Sequence, residues 1–359
     1  MSADVSADMP ADGDAARGDG EGKGEGGGAC GGGAPPGTAS GHRARRLCRA
    51  FLAVLVAAAV VVPLSGAARP RIPAPPPAAL APLTRSTLEA AYAANRANAA
   101  LASRMAAAHG DTHRASADAS LAAPGRHLLA FDGRGQGRAT EVLGDLAHAD
   151  RVAVLVPGSD TSLDTYGRFR QGALSLSREL SRQAPAMTRT AVVAWLGYET
   201  PGTVSSTVLT TGRAEQAAPG LRRLIHGLRD VLGRAPHITL VCHSYGSVVC
   251  GRAAAGLDVD DIALIGSPGT GADSVAELRT PARVWAARGA GDWVAHVPHV
   301  RADLLGTTLG LGADPMDPAF GARVFDAGRG GHSAYLTPGS PSLAHLGRIV
   351  LGTAEGGAR

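Results

Sequence analysis

Apolar residues in this chain gather into short, nearly unbroken runs separated by stretches of helical periodicity. Residues 151–156, 191–196, 238–241, 262–265 and 283–287 are four to six residues long, rich in Val, Ile, Leu and Ala, with almost no polar alternation. Such runs predict strands buried on both faces. Between and after them, residues 163–182, 218–232, 248–255 and 342–351 read as helices. Strands alternating with helices specify an α/β fold, with a mostly parallel sheet and helices on both faces. Ahead of this region, an alanine-dense helix is expected over residues 88–108, capped by Ser86 or Thr87. A polar connector follows, then two strands at 127–131 and 138–143. The glycine cluster Asp132-Gly133-Arg134-Gly135-Gln136-Gly137 joins one strand to another, not a strand to a helix, so it reads as a hairpin turn and not as a dinucleotide loop.

Composition divides the chain. Residues 1–42 are Gly, Ala, Asp and Glu with few large apolar side chains, a tail expected to be disordered. Residues 43–68 carry Arg43, Arg45, Arg46 and Arg49, then an apolar run over 50–64, then Ser65-Gly66-Ala67-Ala68. That order describes a signal peptide or a signal anchor. The forty-residue tail ahead of it suits an uncleaved anchor or a start codon assigned too early. Arginines are denser before the run than after it, which places the N-terminus inside. The product is then expected to be extracytoplasmic, either secreted or held to the membrane through residues 50–68. Residues 69–82 form a proline-rich spacer, and residues 83–355 the α/β domain, large enough for one sizeable core. The net charge of +4 is modest. Without a basic stripe and interleaved aromatics, nucleic acid is not an expected partner. Of the four cysteines, Cys242 and Cys250 fall in the exported part, and they are expected as small buried apolar residues, not as a bridge.

The densest chemistry lies where residues 238–241 run into Cys242-His243-Ser244-Tyr245-Gly246-Ser247. A serine two residues before a glycine, between a strand and a helix, projects its hydroxyl beyond the sheet on a sharp turn and frees the next N–H to meet an oxyanion. A serine hydroxyl needs a base, and the base an orienting carboxylate, in the order Ser, acid, His for this sheet type. Asp292, in a glycine-containing turn after residues 283–287, fits the acid, with Asp273 as rival; Asp303, Asp314, Asp317 and Asp326 lie in less ordered surroundings. His332, between glycines and before the final helix, fits the base. His296 and His299 stand nearer Asp292 in sequence, His243 reads as a packing or hydrogen-bonding residue, and His345 sits within the final helix. The oxyanion donors are expected to be the N–H groups of Tyr245 and of Ser159, the latter in Pro157-Gly158-Ser159, each worth about 3 kcal/mol. Residues 203–212 and 306–321 are candidate lid segments.

With these pieces placed, the chain resembles the α/β-hydrolase superfamily, and more narrowly an actinobacterial group of predicted α/β hydrolases long described only as a domain of unknown function. The resemblance covers roughly residues 85–350. It rests on Tyr92 with Asn95-Arg96, Leu143-Gly144-Asp145-Leu146 before Ala149-Asp150-Arg151-Val152, Val156-Pro157-Gly158, Trp195-Leu196-Gly197-Tyr198, His243-Ser244-Tyr245-Gly246-Ser247, Gly266-Ser267-Pro268-Gly269 and Gly331-His332-Ser333-Ala334-Tyr335. It implies an α/β-hydrolase fold and a Ser–Asp–His hydrolase, carried onto Ser244, Asp292 and His332. Two positions depart from the pattern: Cys242 replaces the first glycine of the elbow, and Glu199 replaces Asp after Gly-Tyr. The resulting expectation is a serine hydrolase cleaving a carboxylic ester or thioester of a small or lipid-like molecule through an acyl-enzyme, with no cofactor or metal. Its alternatives are a non-catalytic envelope-binding protein on a hydrolase fold and a serine peptidase or amidase.

Overall fold

The computed structural model describes residues 72–203, 205, 208, 210–297, 302–304 and 307–354. The expected tail and signal region, residues 1–42 and 43–68, lie outside them. The sheet is built as the apolar runs require. Strands β1 (His127–Asp132) and β2 (Arg138–Gly144) form an antiparallel hairpin, and β2 continues antiparallel onto β4 (Thr190–Leu196). From there the order β4, β3 (Arg151–Val156), β5 (His237–His243), β6 (Asp261–Ile265), β7 (Arg283–Ala287) and β10 (Arg323–Val324) is parallel throughout. Strands β8 (Ala302–Leu304) and β9 (Thr307–Leu309) form a separate antiparallel pair. The two-residue β10 has no apolar run of its own, so periodicity does not reveal it.

Strand residues alternate between two cores. Val152, Val154 and Val156 face one side with Ile238, Leu240 and Cys242, while Ala153 and Leu155 face the other with Val241, Ala263 and Ile265. The first core is closed by α4 (Gly212–Leu232) and α5 (Gly246–Ala253), and the second by α3 (Tyr166–Gln183) and α7 (Pro341–Leu351). Helix α4 starts six residues before its expected beginning at 218, because Pro219 interrupts only one N–H and the helix runs through it. Helix α1 (Leu88–Ala108) packs against α2 (Thr112–Ala122), which fills the stretch expected as a connector; the short α6 (Val275–Leu278) was likewise unforeseen. The α1 cap at Thr87 makes no side-chain bond into the helix; its hydroxyl donates to the Pro82 carbonyl instead. Residues 72–82 run without helix or strand, and Asn98 of α1 donates to the Pro76 carbonyl.

Register aligns the carboxyl ends of the central strands. Val156 stands beside Cys242, His243 beside Ile265, and Ile265 beside Ala287. The loops leaving these four strands therefore open on one edge, where sheets of this type carry their sites.

Candidate active site

Strand β5 ends at His243 and helix α5 begins at Gly246, leaving Ser244 and Tyr245 to make the whole reversal. Ser244 takes a left-handed backbone (φ 54°), unusual for a side chain other than glycine and a sign of strain held in place by its surroundings. Its N–H donates to the Ile265 carbonyl at 3.0 Å, which ties the turn to β6. Gly246 is required by close approach: a Cβ there would stand 2.6 Å from the carbonyl oxygens of Val156 and Pro157. The turn presents the Ser244 hydroxyl to His332, whose Nε2 lies 2.9 Å from Oγ. On the other side of the ring, Nδ1 lies 2.9 Å from Oδ1 and 3.0 Å from Oδ2 of Asp292. A carboxylate only accepts, so Nδ1 carries the hydrogen and Nε2 is left to accept from the serine.

Asp292 is 2% exposed. Burial pushes its pKa up, but the hydrogen bonds from the Tyr335 hydroxyl, the Val294 N–H and His332 outweigh it and hold the carboxyl below the usual range. His332 is also gripped at its backbone, because its carbonyl accepts from Nε2 of His243 at 2.8 Å. Burial and the neighbouring His332 lower the His243 pKa to about 4, so that ring stays neutral and keeps its donor on Nε2. Trp293 lies against the His332 ring at a centroid distance of 4.8 Å and is half exposed.

The loop after β3 approaches from the opposite side. A Cβ on Gly158 would fall 2.6 Å from the Ser244 Cβ, so the loop comes this close only because that residue has none. The loop is fixed at several points: Tyr198 donates to the Pro157 carbonyl at 2.6 Å, the Asp160 N–H donates to Pro201, and Thr161 exchanges bonds with Thr200. Thr203 donates from both N–H and hydroxyl to the Asp160 carboxylate. Among the described residues, the N–H groups of Ser159 and Tyr245 have no protein acceptor, as donors reserved for an oxyanion require.

Comparison with known proteins bears on the family. Residues 132–302 match the family described as alpha/beta hydrolase. An uncharacterized protein of Mycobacterium bovis is 32% identical over an alignment of 195 residues that covers 51% of this chain and 73% of that one. The chain belongs to the α/β-hydrolase family. An uncharacterized protein of Mycobacterium tuberculosis is 29% identical over an alignment of 257 residues that covers 63% of this chain but 39% of that protein, so the match spans about two fifths of that relative's length. Among solved structures, the crystal structure of the esterase PE8 is similar with a TM-score of 0.41 and 19% identity, covering 59% of this chain and 97% of that one.

As an α/β hydrolase, the chain brings Ser244, Asp292 and His332 together, with Tyr245 and Ser159 beside them. The rivals lie elsewhere. Asp273 is exposed and accepts from the Ala313 N–H, Asp314 pairs with Arg288, and Asp317 and Asp326 accept from nearby backbone N–H groups. His296 is exposed, His345 bonds within α7, and His299 lies outside the described residues. Of the two departures, Glu199 accepts from Arg213 at the start of α4. Cys242 is a correction: it is joined to Cys250 by a disulfide, although two separate buried thiols were expected. The helix doubles back along the strand so closely that these Cα atoms stand 6.5 Å apart, within bridging reach. Tyr335 was not foreseen as part of the constellation, whereas His243, expected as a packing or hydrogen-bonding residue, is one: its Nε2 donates to the His332 carbonyl. The sequence signal for Tyr335 was its place in Gly331-His332-Ser333-Ala334-Tyr335, three residues after His332.

A cavity of about 440 Å³ opens beside Ser244. Leu155, Phe169, Ile265 and Leu336 give it an apolar wall, and Arg168, Gln171 and Ser175 a polar one. Thr203 reaches it from one candidate lid segment; the described part of the other, from 307 on, contributes no lining, and its Leu311 carbonyl accepts from the Gly271 N–H at 2.7 Å. A larger cavity, about 830 Å³, lies between α4, α5 and α6, and none of Ser244, Asp292 and His332 lines it. Among the described residues, no three His, Cys, Asp or Glu side chains converge as a metal site needs.

Proposed function

We propose that the chain is a serine hydrolase that cleaves a carboxylic ester or thioester through an acyl-enzyme on Ser244. One observation carries this reading: the unbroken hydrogen-bond line from Ser244 Oγ through both nitrogens of His332 to Asp292, facing a cavity of ligand size. Oγ attacks the carbonyl carbon as His332 Nε2 takes its proton, and Asp292 holds the ring tautomer and stabilises the imidazolium. The carbonyl oxygen, now an oxyanion, meets the N–H groups of Tyr245 and Ser159. Collapse expels the alcohol or thiol, which receives the proton from Nε2, and water repeats the sequence in reverse. The apolar wall favours a small or lipid-like acyl group.

Export is part of the proposal. It is supported by the basic-then-apolar order of residues 43–68 and by the Cys242–Cys250 bridge, since disulfides persist in oxidising compartments. Among the described residues no helix is long and apolar enough to cross a membrane, and the apolar run at 50–64 lies outside them.

The test is to label the full-length chain with a fluorophosphonate probe and map the adduct by mass spectrometry. Modification confined to Ser244, and lost in Ser244→Ala and His332→Ala, is expected, after which a panel of esters, thioesters and amides ranks substrates. A folded wild-type chain that takes no label sinks the proposal and favours the non-catalytic binding role.

A further inference from the structure

Asp292 is held by more than its histidine. Residues 331–337 make two consecutive turns, Ala334 N–H to the Gly331 carbonyl and Thr337 N–H to the Ala334 carbonyl, which set His332 and Tyr335 side by side against one carboxylate. His332 Nδ1 bonds Oδ1 at 2.9 Å, and the Tyr335 hydroxyl bonds Oδ2 at 2.5 Å. The direction of the second bond is fixed. Gly289 N–H donates to the Tyr335 oxygen at 3.1 Å, so the hydroxyl hydrogen points to the carboxylate, which has none to give. Tyr335 is 4% exposed, and burial followed by its bond to Asp292 pushes its pKa further up, so it stays a donor.

We propose that Tyr335 is a positioning residue for the hydrolytic site: it fixes the plane of the Asp292 carboxylate and takes a share of its charge, which sets the orientation and basicity of His332. The proposal rests on reading Ser244, His332 and Asp292 as the reacting line. Two consequences separate it from a packing role. Removing the donor frees Asp292 to rotate, so His332 spends less time aimed at Ser244. It also leaves more negative charge on the carboxylate, which stabilises the imidazolium and makes the histidine harder to deprotonate. The other polar groups facing this cluster are His243 from β5, Arg288 after β7, itself paired with Asp314, and the Val294 N–H. Each is unchanged by a substitution at 335.

The experiment measures the rate of fluorophosphonate labelling of the full-length chain against pH, for wild type and Tyr335→Phe, with the folded fraction followed by circular dichroism. A hydrogen bond to a charged group corresponds to about a tenfold loss in the plateau rate. The pH of half-maximal labelling is expected to rise by about half a unit. A midpoint that stays put or falls, with labelling lost only as the folded fraction falls, overturns the proposal. Should Tyr335→Phe fail to fold, 3-fluorotyrosine installed at position 335 keeps the shape and strengthens the donor; the midpoint is then expected to move down, and a fixed midpoint counts against the proposal. Absence of label on the wild type is a separate result, which removes the hydrolase reading itself.

Discussion

Two buried aspartates in this α/β hydrolase have nearly the same exposure, 1% for Asp118 in α2 and 2% for Asp292 after β7, yet opposite electrostatics. Burial pushes both pKa values up. At Asp292, donors from Tyr335, the Val294 N–H and His332 more than reverse that, and the carboxyl is held below its usual range. At Asp118 nothing does. Its Oδ1 has no hydrogen-bond partner, and Arg114, one helical turn away, spends its donors on Asp164 and on the carbonyls of Gly133 and Gly135. Asp118 rises to about 7, with Arg114 pulling it down only in part and Asp164 and Asp111 adding to the rise. A main difference between the two is the number of donors aimed at the oxygens. Asp292 therefore favours folding above the ordinary carboxylate pKa and loses that contribution as pH falls; Asp118 does the reverse.

The largest way to break the comparison is Asp292→Asn. The amide presents a donor where His332 needs an acceptor, so the ring is driven toward the wrong tautomer. Labelling of Ser244 is expected to fall about 10⁴-fold with the chain still folded, as it does when the acid of the serine-protease triad is replaced by Asn. The same substitution at Asp118 is expected to leave the labelling rate unchanged. Equal losses at both positions, measured side by side, would mean that Asp292 is no more than a structural carboxylate.

A second difference between the regions is covalent. The turn bearing Ser244 is closed by Cys242–Cys250, both fully buried, whereas the helix pair around Asp118 has no such tie. A loop of this length constrains the unfolded chain by about 2–3 kcal/mol. The double variant Cys242→Ala, Cys250→Ala is expected to lower the unfolding free energy by that amount in urea titrations, and to slow labelling far less than Asp292→Asn. A labelling loss as large as that of Asp292→Asn would show that the bridge holds Ser244 in its left-handed conformation.

The two regions also differ in how far they were legible in the sequence. The strand ends, the elbow and the pairing of Ser244 with His332 and Asp292 follow from unbroken apolar runs and from a reaction that needs those groups in that order. Helix α2 was invisible for the reason Asp118 is unusual. Thr112–Ala122 holds one large apolar residue, Leu121, and turns Arg114 and Asp118 inward, so hydrophobic periodicity had nothing to register. The disulfide depends on how steeply α5 doubles back on β5, a distance that sequence spacing does not set. Tyr335 depends on a carboxylate more than forty residues earlier in the chain. Tyr335 and Arg114, which escaped notice, are polar groups whose partners are distant in sequence.

Asp118→Asn gives the smallest effect and the one whose sign is most informative. Below the unfolded value of 3.8, Asp118 is protonated in both states and the substitution changes little. Between there and about 7, the folded chain keeps the proton that the unfolded chain has released, so wild-type stability falls steadily as pH rises. Above 7 the carboxylate is charged in both states and the full cost of burying it is felt. Asparagine carries no charge at any of these values and avoids that cost. Thermal melts at pH 4 and pH 8 should therefore show the variant close to wild type at the lower pH and more stable at the higher, by about 1 kcal/mol once solvent screening is allowed for. The opposite sign, with the variant weaker at pH 8, would mean that Arg114 pairs with Asp118 strongly enough to make it a second well-served carboxylate. The contrast with Asp292 would then disappear.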